Sequence, residues 1–164
     1  MAPHRQQHRA GTPAFGRPKK KYRQDGEGIG SSRGGKSTKI HAVVDALGNP
    51  LRFVVSEGQR ADVKFAESLI EGYGQAGAVV ADKAYDADRL IEVIGQMEAR
   101  AVIPPKKNRK EPRKYDKNLY KDRNKVERYF GRVKHYRRLA TRYEKTARNF
   151  LAFWHIAAAI TLTI

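Results

Sequence analysis

Four polar residues in the second half of the chain are spaced so that one helix would hold them on a single face. The spacing Y-x2-R-x3-E-x6-K joins Tyr120, Arg123, Glu127 and Lys134. At the helical step of about 100° per residue, the four side chains fall within roughly one sixth of the circumference. Such a helix can pack its neighbouring apolar arc on a core and hold the polar stripe at the edge of a cleft. That apolar arc consists of Leu119, Val126, Tyr129, Phe130 and Val133.

The stripe places one carboxylate among cations, a combination that suits chemistry on phosphodiesters. A carboxylate can bind Mg²⁺, while Arg and Lys neutralise phosphate oxygens as charge develops in a transition state. Glu127 cannot hold two metal ions alone, so a second carboxylate is needed. The best candidate is Asp82, because it follows the apolar run 78–81 and is predicted to lie at the carboxyl end of a strand. Taken singly, Asp82 could be an ordinary strand-end acid and Glu127 an intrahelical partner of Arg123.

The composition narrows the class of protein. The chain has 164 residues and no cysteine, which allows one domain with a proper core and excludes a disulfide or thiolate-metal framework. Lys and Arg number 34 against 17 Asp and Glu, which gives a net charge of +17. Such an excess favours a polyanionic partner, with nucleic acid the first choice. Tyrosines interleave the basic stretch 106–148, and this favours phosphate contact with base stacking over a merely solvated face.

Nothing in the sequence suggests a membrane protein. The longest apolar stretch, residues 150–164, is shorter than the roughly 20 residues that span a bilayer, and it predicts a buried helix. The N-terminal residues lack the apolar segment of a secretory signal. We therefore expect a cytoplasmic protein.

Alternating apolar patterns place the predicted elements. Residues 1–35 are rich in Gly, Pro, Arg and Lys and predict a disordered basic arm, whereas residues 38–56 alternate around a turn and predict a β-hairpin. A helix from Asp62 to Tyr73, a strand at 78–81, a helix capped by Asp86 and a strand at 101–103 follow. A basic loop at 105–117 leads to the signature helix, and a last helix covers residues 147–162. This order predicts an α/β fold with a sheet of mixed direction.

Three tracts together resemble the DDE transposases of bacterial insertion sequences. They are residues 38–51, the box Asp82-Lys-Ala-Tyr-Asp86, and the signature Tyr120, Arg123, Glu127 and Lys134. The resemblance implies a ribonuclease-H-like domain that cuts and rejoins DNA at element ends, using two divalent ions, Mg²⁺ or Mn²⁺. It makes Asp82 and Glu127 the second and third catalytic carboxylates and metal ligands. The other three signature residues would contact DNA, the element ends and the target, and the protein would be associated with the nucleoid. Its protein partner would be either an upstream transposase fragment or a second copy of the chain.

The sequence departs from this family at its N-terminal end. The family's first catalytic Asp lies on an opening strand, and residues 1–10 resemble the stretch that follows that strand. We therefore expect a truncated chain: a disordered arm at 1–35, then a partial ribonuclease-H-like domain at 36–164 that lacks its first strand. Such a chain would be inactive alone unless an upstream fragment supplies the missing Asp. The alternative is a non-catalytic nucleic-acid-binding protein derived from a transposase.

Other motifs have simpler explanations. Residues 30–37 match the phosphate-loop pattern G-x4-G-K-S, but no buried strand precedes them and no helix is predicted to follow, so a chance match is favoured. Asp45 is predicted to serve a turn, and Asp62 and Asp86 to cap helices, rather than to replace the missing ligand. His4 and His8 are predicted to be solvated rather than to bind metal.

Overall fold

Strands followed by helices form a mixed α/β fold, in a computed structural model that describes residues 2–9, 27–32 and 35–163. Four strands form one sheet, and two further strands form a parallel pair. The strands are β1 (Ala2–Arg9), β2 (Gly30–Ser32), β3 (Gly35–Val44), β4 (Pro50–Glu57), β5 (Ala78–Val80) and β6 (Arg100–Val102). The helices are α1 (Ala66–Ile70), α2 (Asp88–Gln96), α3 (Lys117–Tyr120), α4 (Asn124–Val133), α5 (Arg137–Ala140) and α6 (Ala147–Thr163). Tight 3-10 turns cover Asp62–Phe65, Lys83–Tyr85 and Lys121–Arg123.

The predicted hairpin is confirmed as β3 and β4, which pair antiparallel with Ile40 opposite Val55. Its turn is organised by Asp45, whose Oδ1 accepts hydrogen bonds from the backbone N–H groups of Leu47 and Asn49, each at 2.8 Å. Gly48 adopts a φ of 92°, a conformation that costs glycine little. The turn role predicted for Asp45 is therefore confirmed.

The N-terminal residues differ from the predicted disordered arm. Ala2–Arg9 forms β1, which pairs antiparallel with residues 37–44 of β3, and β2 pairs with residues 35–37 at the start of β3. The predicted gap beside β3, left by a lacking first strand, is thus filled by β1. The physical reason is that a strand's backbone groups are satisfied by the ladder itself, which needs no apolar pattern in the strand. The rest of the predicted arm, residues 10–26 and 33–34, lies outside the described residues.

The predicted central strand is buried on both faces, as the apolar run at 78–81 indicated. Val79 and Ala81 pack with α1 and α2, whereas Val80 faces the opposite core with Val102. β5 and β6 run parallel, with Val79 opposite Ala101. Their carboxyl ends therefore lie at the same edge of the sheet.

Two predicted helices begin or end elsewhere. The helix expected from Asp62 to Tyr73 is a 3-10 turn followed by the short α1, and Gly72 with a φ of 83° comes directly after the C-cap residue Glu71. Asp62 caps no helix: its side chain is 4% exposed and forms an ion pair with Lys39 at 3.1 Å. The N-cap of α2 is Ala87, so the prediction that Asp86 caps this helix is also wrong.

The main core lies between the sheet and helices α4 and α6. Phe53 of β4 packs against Tyr129 at 5.9 Å and against Trp154 at 5.5 Å between ring centroids. The last helix was predicted to be buried, but only one of its faces is, and the other exposes Ile156, Ile160 and Leu162. In the described part of the chain, no helix combines the length and the apolar content that crossing a membrane requires.

The phosphate-loop match fails on structural grounds, as predicted. Gly30 lies in β2, and Lys36 and Ser37 lie in β3, so a strand rather than a helix follows the motif. A phosphate-binding loop needs the N-terminus of a helix at that point.

Candidate functional site

Asp82 lies directly beyond β5, where the chain turns away from the sheet. It is the N-cap of the 3-10 turn Lys83–Tyr85, and its Oδ1 accepts a hydrogen bond from the backbone N–H of Ala84 at 2.7 Å. The side chain is half-buried. The prediction that Asp82 ends a strand at the sheet's carboxyl edge is confirmed, and the cap fixes the direction of its carboxylate.

A buried hydrogen-bond network connects this turn to the sheet through Tyr85, His41 and Ser56. The hydroxyl of Tyr85 lies 3.4 Å from Nδ1 of His41, and Nε2 of His41 lies 2.8 Å from the hydroxyl of Ser56. Phe65 stacks on the His41 ring with a centroid distance of 4.9 Å. All three hydrogen-bonding residues are buried. The network joins the turn after Asp82 to both strands of the hairpin. No local sequence pattern reveals it, because its members lie far apart in the chain.

The signature residues lie on a helical segment that is not one uniform helix. α3 ends at Tyr120, the 3-10 turn Lys121–Arg123 follows, and α4 begins at Asn124. In a 3-10 turn, side chains three residues apart eclipse. The guanidinium of Arg123 accordingly lies over the ring of Tyr120, with 5.7 Å between its Cζ atom and the ring centroid.

Arg123 also forms an ion pair with Glu127, at 2.8 Å between Nη2 and Oε1. The Arg123 side chain is 25% exposed and that of Glu127 is 44% exposed. Three of the four signature residues therefore form one contact chain at a solvent-accessible position. The structure brings Tyr120, Arg123 and Glu127 together through contacts that their spacing alone suggested.

Tyr120 connects this chain to Asp82. Partial burial raises the pKa of the Tyr120 hydroxyl, the nearby Arg123 lowers it, and the electrostatic interactions with Asp82 and with the Tyr115 hydroxyl raise it, so that the pKa lies above its usual value. Asp82 is thus within electrostatic range of Tyr120. Tyr120 therefore lies near Asp82 and also contacts Arg123, the ion-pair partner of Glu127.

Lys134 occupies a different place. It is the C-cap of α4 and is exposed. Fourteen residues of helix separate it from Tyr120, a distance of about 20 Å at a rise of 1.5 Å per residue. Lys134 therefore lies on the same stripe but too far along the helix to contact Tyr120.

The other candidate acids are engaged elsewhere. Asp86 is buried, accepts a hydrogen bond from the backbone N–H of Lys106 at 2.8 Å, and forms an ion pair with Arg109 at 3.1 Å. Its predicted capping role gives way to these contacts because the carboxylate points toward the loop that follows β6. No group of three or more His, Cys, Asp or Glu side chains that could hold a metal ion occurs in the described residues.

A cavity of about 280 Å³ lies at the opposite edge of the sheet, beside the amino end of β5. Neither Asp82 nor Glu127 lines it. The lining residues are Asp45, Ala46, Ala76, Gly77, Ala78, Val80, Leu119, Asp122 and Lys125. This cavity therefore adjoins the signature segment through Leu119 and Asp122 but does not include the two predicted carboxylates.

Comparisons with known proteins bear on this geometry. Residues 4–162 match the family model described as a transposase DDE domain. The chain is also 43% identical, over 125 residues, to the Brucella ovis protein named "Putative transposase for insertion sequence element IS6501". That alignment covers 76% of this chain and 96% of the relative. No solved structure matches the chain.

Proposed function

The chain belongs to the DDE transposases of insertion sequences, and from this membership we propose that it binds the DNA of an insertion element and takes part in metal-dependent strand cleavage and transfer. The observation that carries the proposal is the placement of Asp82 at the carboxyl edge of the sheet, within electrostatic range of Tyr120, whose ring contacts Arg123, the ion-pair partner of Glu127. A site with these features combines carboxylates with a cation. This is the donor set that phosphodiester chemistry requires.

We further propose that the fold is ribonuclease-H-like. Support comes from the order of its strands: antiparallel partners β1, β3 and β4 are followed by the parallel pair β5 and β6. Helices α4 and α6 pack on one side and α1 and α2 on the other. In this arrangement Asp82 projects from the edge at which parallel strands end, the usual position of ligand sites in α/β sheets.

The donor set of the site fits Mg²⁺ or Mn²⁺. Magnesium is commonly held by one or two carboxylates together with waters and substrate phosphates, so Asp82 and Glu127 would be the protein ligands. When bound, the metal would polarise phosphate oxygens and lower the pKa of an attacking hydroxyl or water. The two carboxylates would act by orienting the ion.

Arg123 would act on the phosphate directly. Its exposed ion pair with Glu127 holds the guanidinium at the site before substrate arrives. A phosphodiester offers Arg the same bidentate oxygen geometry as a carboxylate, so Arg123 would transfer from Glu127 to the scissile phosphate. Glu127 would then be released toward the metal, and Tyr120 would flank the same phosphate. Lys134, farther along the helix, would contact the DNA backbone outside the reacting centre.

A second candidate function is DNA binding without catalysis. It is favoured by one observation, that the described residues supply no set of three metal-binding side chains. The sequence of β1 itself contains no Asp or Glu. A third carboxylate would have to come from outside the described residues, and we propose that cleavage depends on it.

A thermal-shift experiment separates the two candidates. Under the catalytic proposal, Mg²⁺ or Mn²⁺ at about 100 times its Kd should raise the Tm by about 5 °C or more. Asp82→Asn and Glu127→Gln should each abolish this shift while leaving DNA binding intact. Asp122→Asn, in the turn before α4, is the matched control and should keep it. DNA binding without any metal-dependent shift in the wild-type chain would establish the non-catalytic function instead.

A further inference from the structure

The loop between β6 and α3, residues 103–116, is held by two aspartates at the start of α2. Asp86 and Asp88 both form ion pairs with Arg109 and with Arg113. The Asp86 side chain is 3% exposed, and it also accepts the backbone N–H of Lys106. A buried carboxylate needs such partners, because an unpaired carboxylate destabilises the fold several times more when it is buried than when it is exposed. These four charged side chains, called here the clamp, therefore fix the path of the loop.

The clamp neutralises the two arginines but not the lysines of the loop. Lys106, Lys107, Lys110 and Lys114 are all exposed. The loop also has two acids, Glu111 and Asp116, both exposed, so its four lysines leave an excess of positive charge. The loop consequently presents an outward cationic surface on a segment that its own inward charges hold in place.

The position of the loop is set by the sheet. β5 and β6 are parallel neighbours, so the loop leaves the sheet at the same edge as Asp82. At its far end, Tyr115 packs edge-on against Tyr120 with a centroid distance of 5.5 Å. The loop therefore runs from the strand beside Asp82 to the signature segment, along one side of the candidate site.

We propose that this clamped loop binds the sugar-phosphate backbone of duplex DNA beside the reacting phosphate, with Asp86 as the positioning residue. The inference rests on the proposed function for the location of the reacting phosphate. Lysines are compact point charges suited to phosphate rather than to base recognition, so the surface contributes affinity and register and not sequence choice. Asp86, although negative, strengthens DNA binding because it orders the cations around it.

The first test removes the cations. Lys107→Gln, Lys110→Gln and Lys114→Gln are combined, and binding to a short DNA duplex is measured by fluorescence anisotropy across a salt series. The matched control carries the same charge change at the opposite edge of the sheet, as Arg100→Gln, Lys125→Gln and Arg132→Gln. In the loop variant, the slope of log K against log salt concentration should be smaller in magnitude by about 2–3. Its affinity near 0.1 M salt should be at least about tenfold weaker. The control should lose clearly less. Equal losses in both triple variants, or no loss in the loop variant, would overturn the proposal.

The second test exploits a difference in sign. Removing an acid near bound DNA should strengthen binding through reduced repulsion, and Glu111→Gln, which leaves the clamp intact, should do so. Asp86→Asn should instead weaken binding and make the loop more susceptible to trypsin, because the clamp is lost. A stronger affinity in both variants would contradict the positioning role. If Asp86→Asn does not fold, the lysine variants decide alone.

The two proposals fail differently. A wild-type chain that binds no DNA would refute both of them. The role of the loop alone would be refuted if the chain binds DNA and Glu127→Gln abolishes the metal-dependent rise in Tm, but the loop lysines do not affect DNA affinity.

Discussion

Arg123 is the central side chain of the signature group, since it touches both Tyr120 and Glu127. This follows from the 3-10 turn, which brings residues 120 and 123 into line, and from the helical spacing of 123 and 127. The sequence spacing was sufficient to predict that these residues share a face. It could not predict the tightened turn, which departs from the uniform helical step assumed.

Asp45 provides a residue-scale prediction about pH. Partial burial raises the pKa of its carboxyl, but hydrogen bonds from Asn49, Leu47 and Gly48 outweigh burial and lower the pKa below its usual value. A lowered pKa means that the folded state favours the ionised form. The stabilisation is therefore complete above the unfolded pKa of about 3.9 and is lost as the pH falls through the folded value.

Asp45→Ala should accordingly lower the free energy of unfolding by about 1–3 kcal/mol near neutral pH, because several turn hydrogen bonds are lost. The difference between wild type and variant should narrow below about pH 4. Urea denaturation at a series of pH values measures both. A difference that stays constant down to strongly acidic pH would show that the charge of Asp45 contributes nothing.

The acids illustrate what residue patterns can and cannot reveal. Asp45 and Asp82 were placed correctly because each follows an apolar run and precedes a local turn. Asp62 and Asp86 precede helical patterns and were predicted as caps, yet each is buried beside a distant cation, Lys39 or Arg109. Local spacing gives no sign of a partner more than 20 residues away.

At the scale of elements, the irregular segment between α5 and α6 is fixed to the sheet by hydrogen bonds from Arg142. The Arg142 guanidinium is buried and donates hydrogen bonds to the hydroxyl of Thr38 at 2.7 Å and to the carbonyl oxygens of Glu144 and Lys145. It thereby ties the chain between α5 and α6 to β3. A lysine has one donor group and cannot reach in three directions.

Arg142→Lys should therefore destabilise the protein by at least about 2 kcal/mol, because buried acceptors lose their partners. Arg138→Lys is the control. Arg138 is 61% exposed and pairs with Glu144, so its replacement should cost less than about 1 kcal/mol. Urea denaturation compares them, and equal costs would mean that the Arg142 hydrogen bonds do not stabilise the fold.

Helix α6 gives a second element-scale prediction. Trp154 is fully buried, whereas Ile156 is 55% exposed on the other face. Trp154→Ala should cost about 3–5 kcal/mol and Ile156→Ala about 0.5 kcal/mol. A large cost for Ile156→Ala in thermal denaturation would show that the outer face of α6 is covered in solution.

The strands differ in how far sequence could predict them. β3, β4, β5 and β6 carry apolar residues at strand spacing and were all predicted. β1 has no such pattern, and its composition predicts a disordered arm instead. The ladder that stabilises β1 comes from β3, which begins some 25 residues later in the chain. Pairing of this kind depends on tertiary structure and leaves no local signal.

At the scale of the whole molecule, the net charge of +17 should dominate the association with DNA that we propose. If 6–10 phosphates are contacted, affinity should fall by about 10³–10⁵ between 50 and 200 mM salt. The measurement is a salt titration of wild-type binding to duplexes with and without the element's ends. Binding that hardly changes with salt would refute an electrostatic mode of association.

The packing of Trp154 on Phe53 also bears on how the protein is made. Phe53 belongs to the second strand of the hairpin, whereas Trp154 belongs to α6, which follows every described strand. At a translation rate of about 5–20 residues per second, roughly ten seconds separate the synthesis of the two. During that time the apolar face of the hairpin is exposed outside the ribosome. We expect chaperones and cellular proteases to compete for it until α6 emerges.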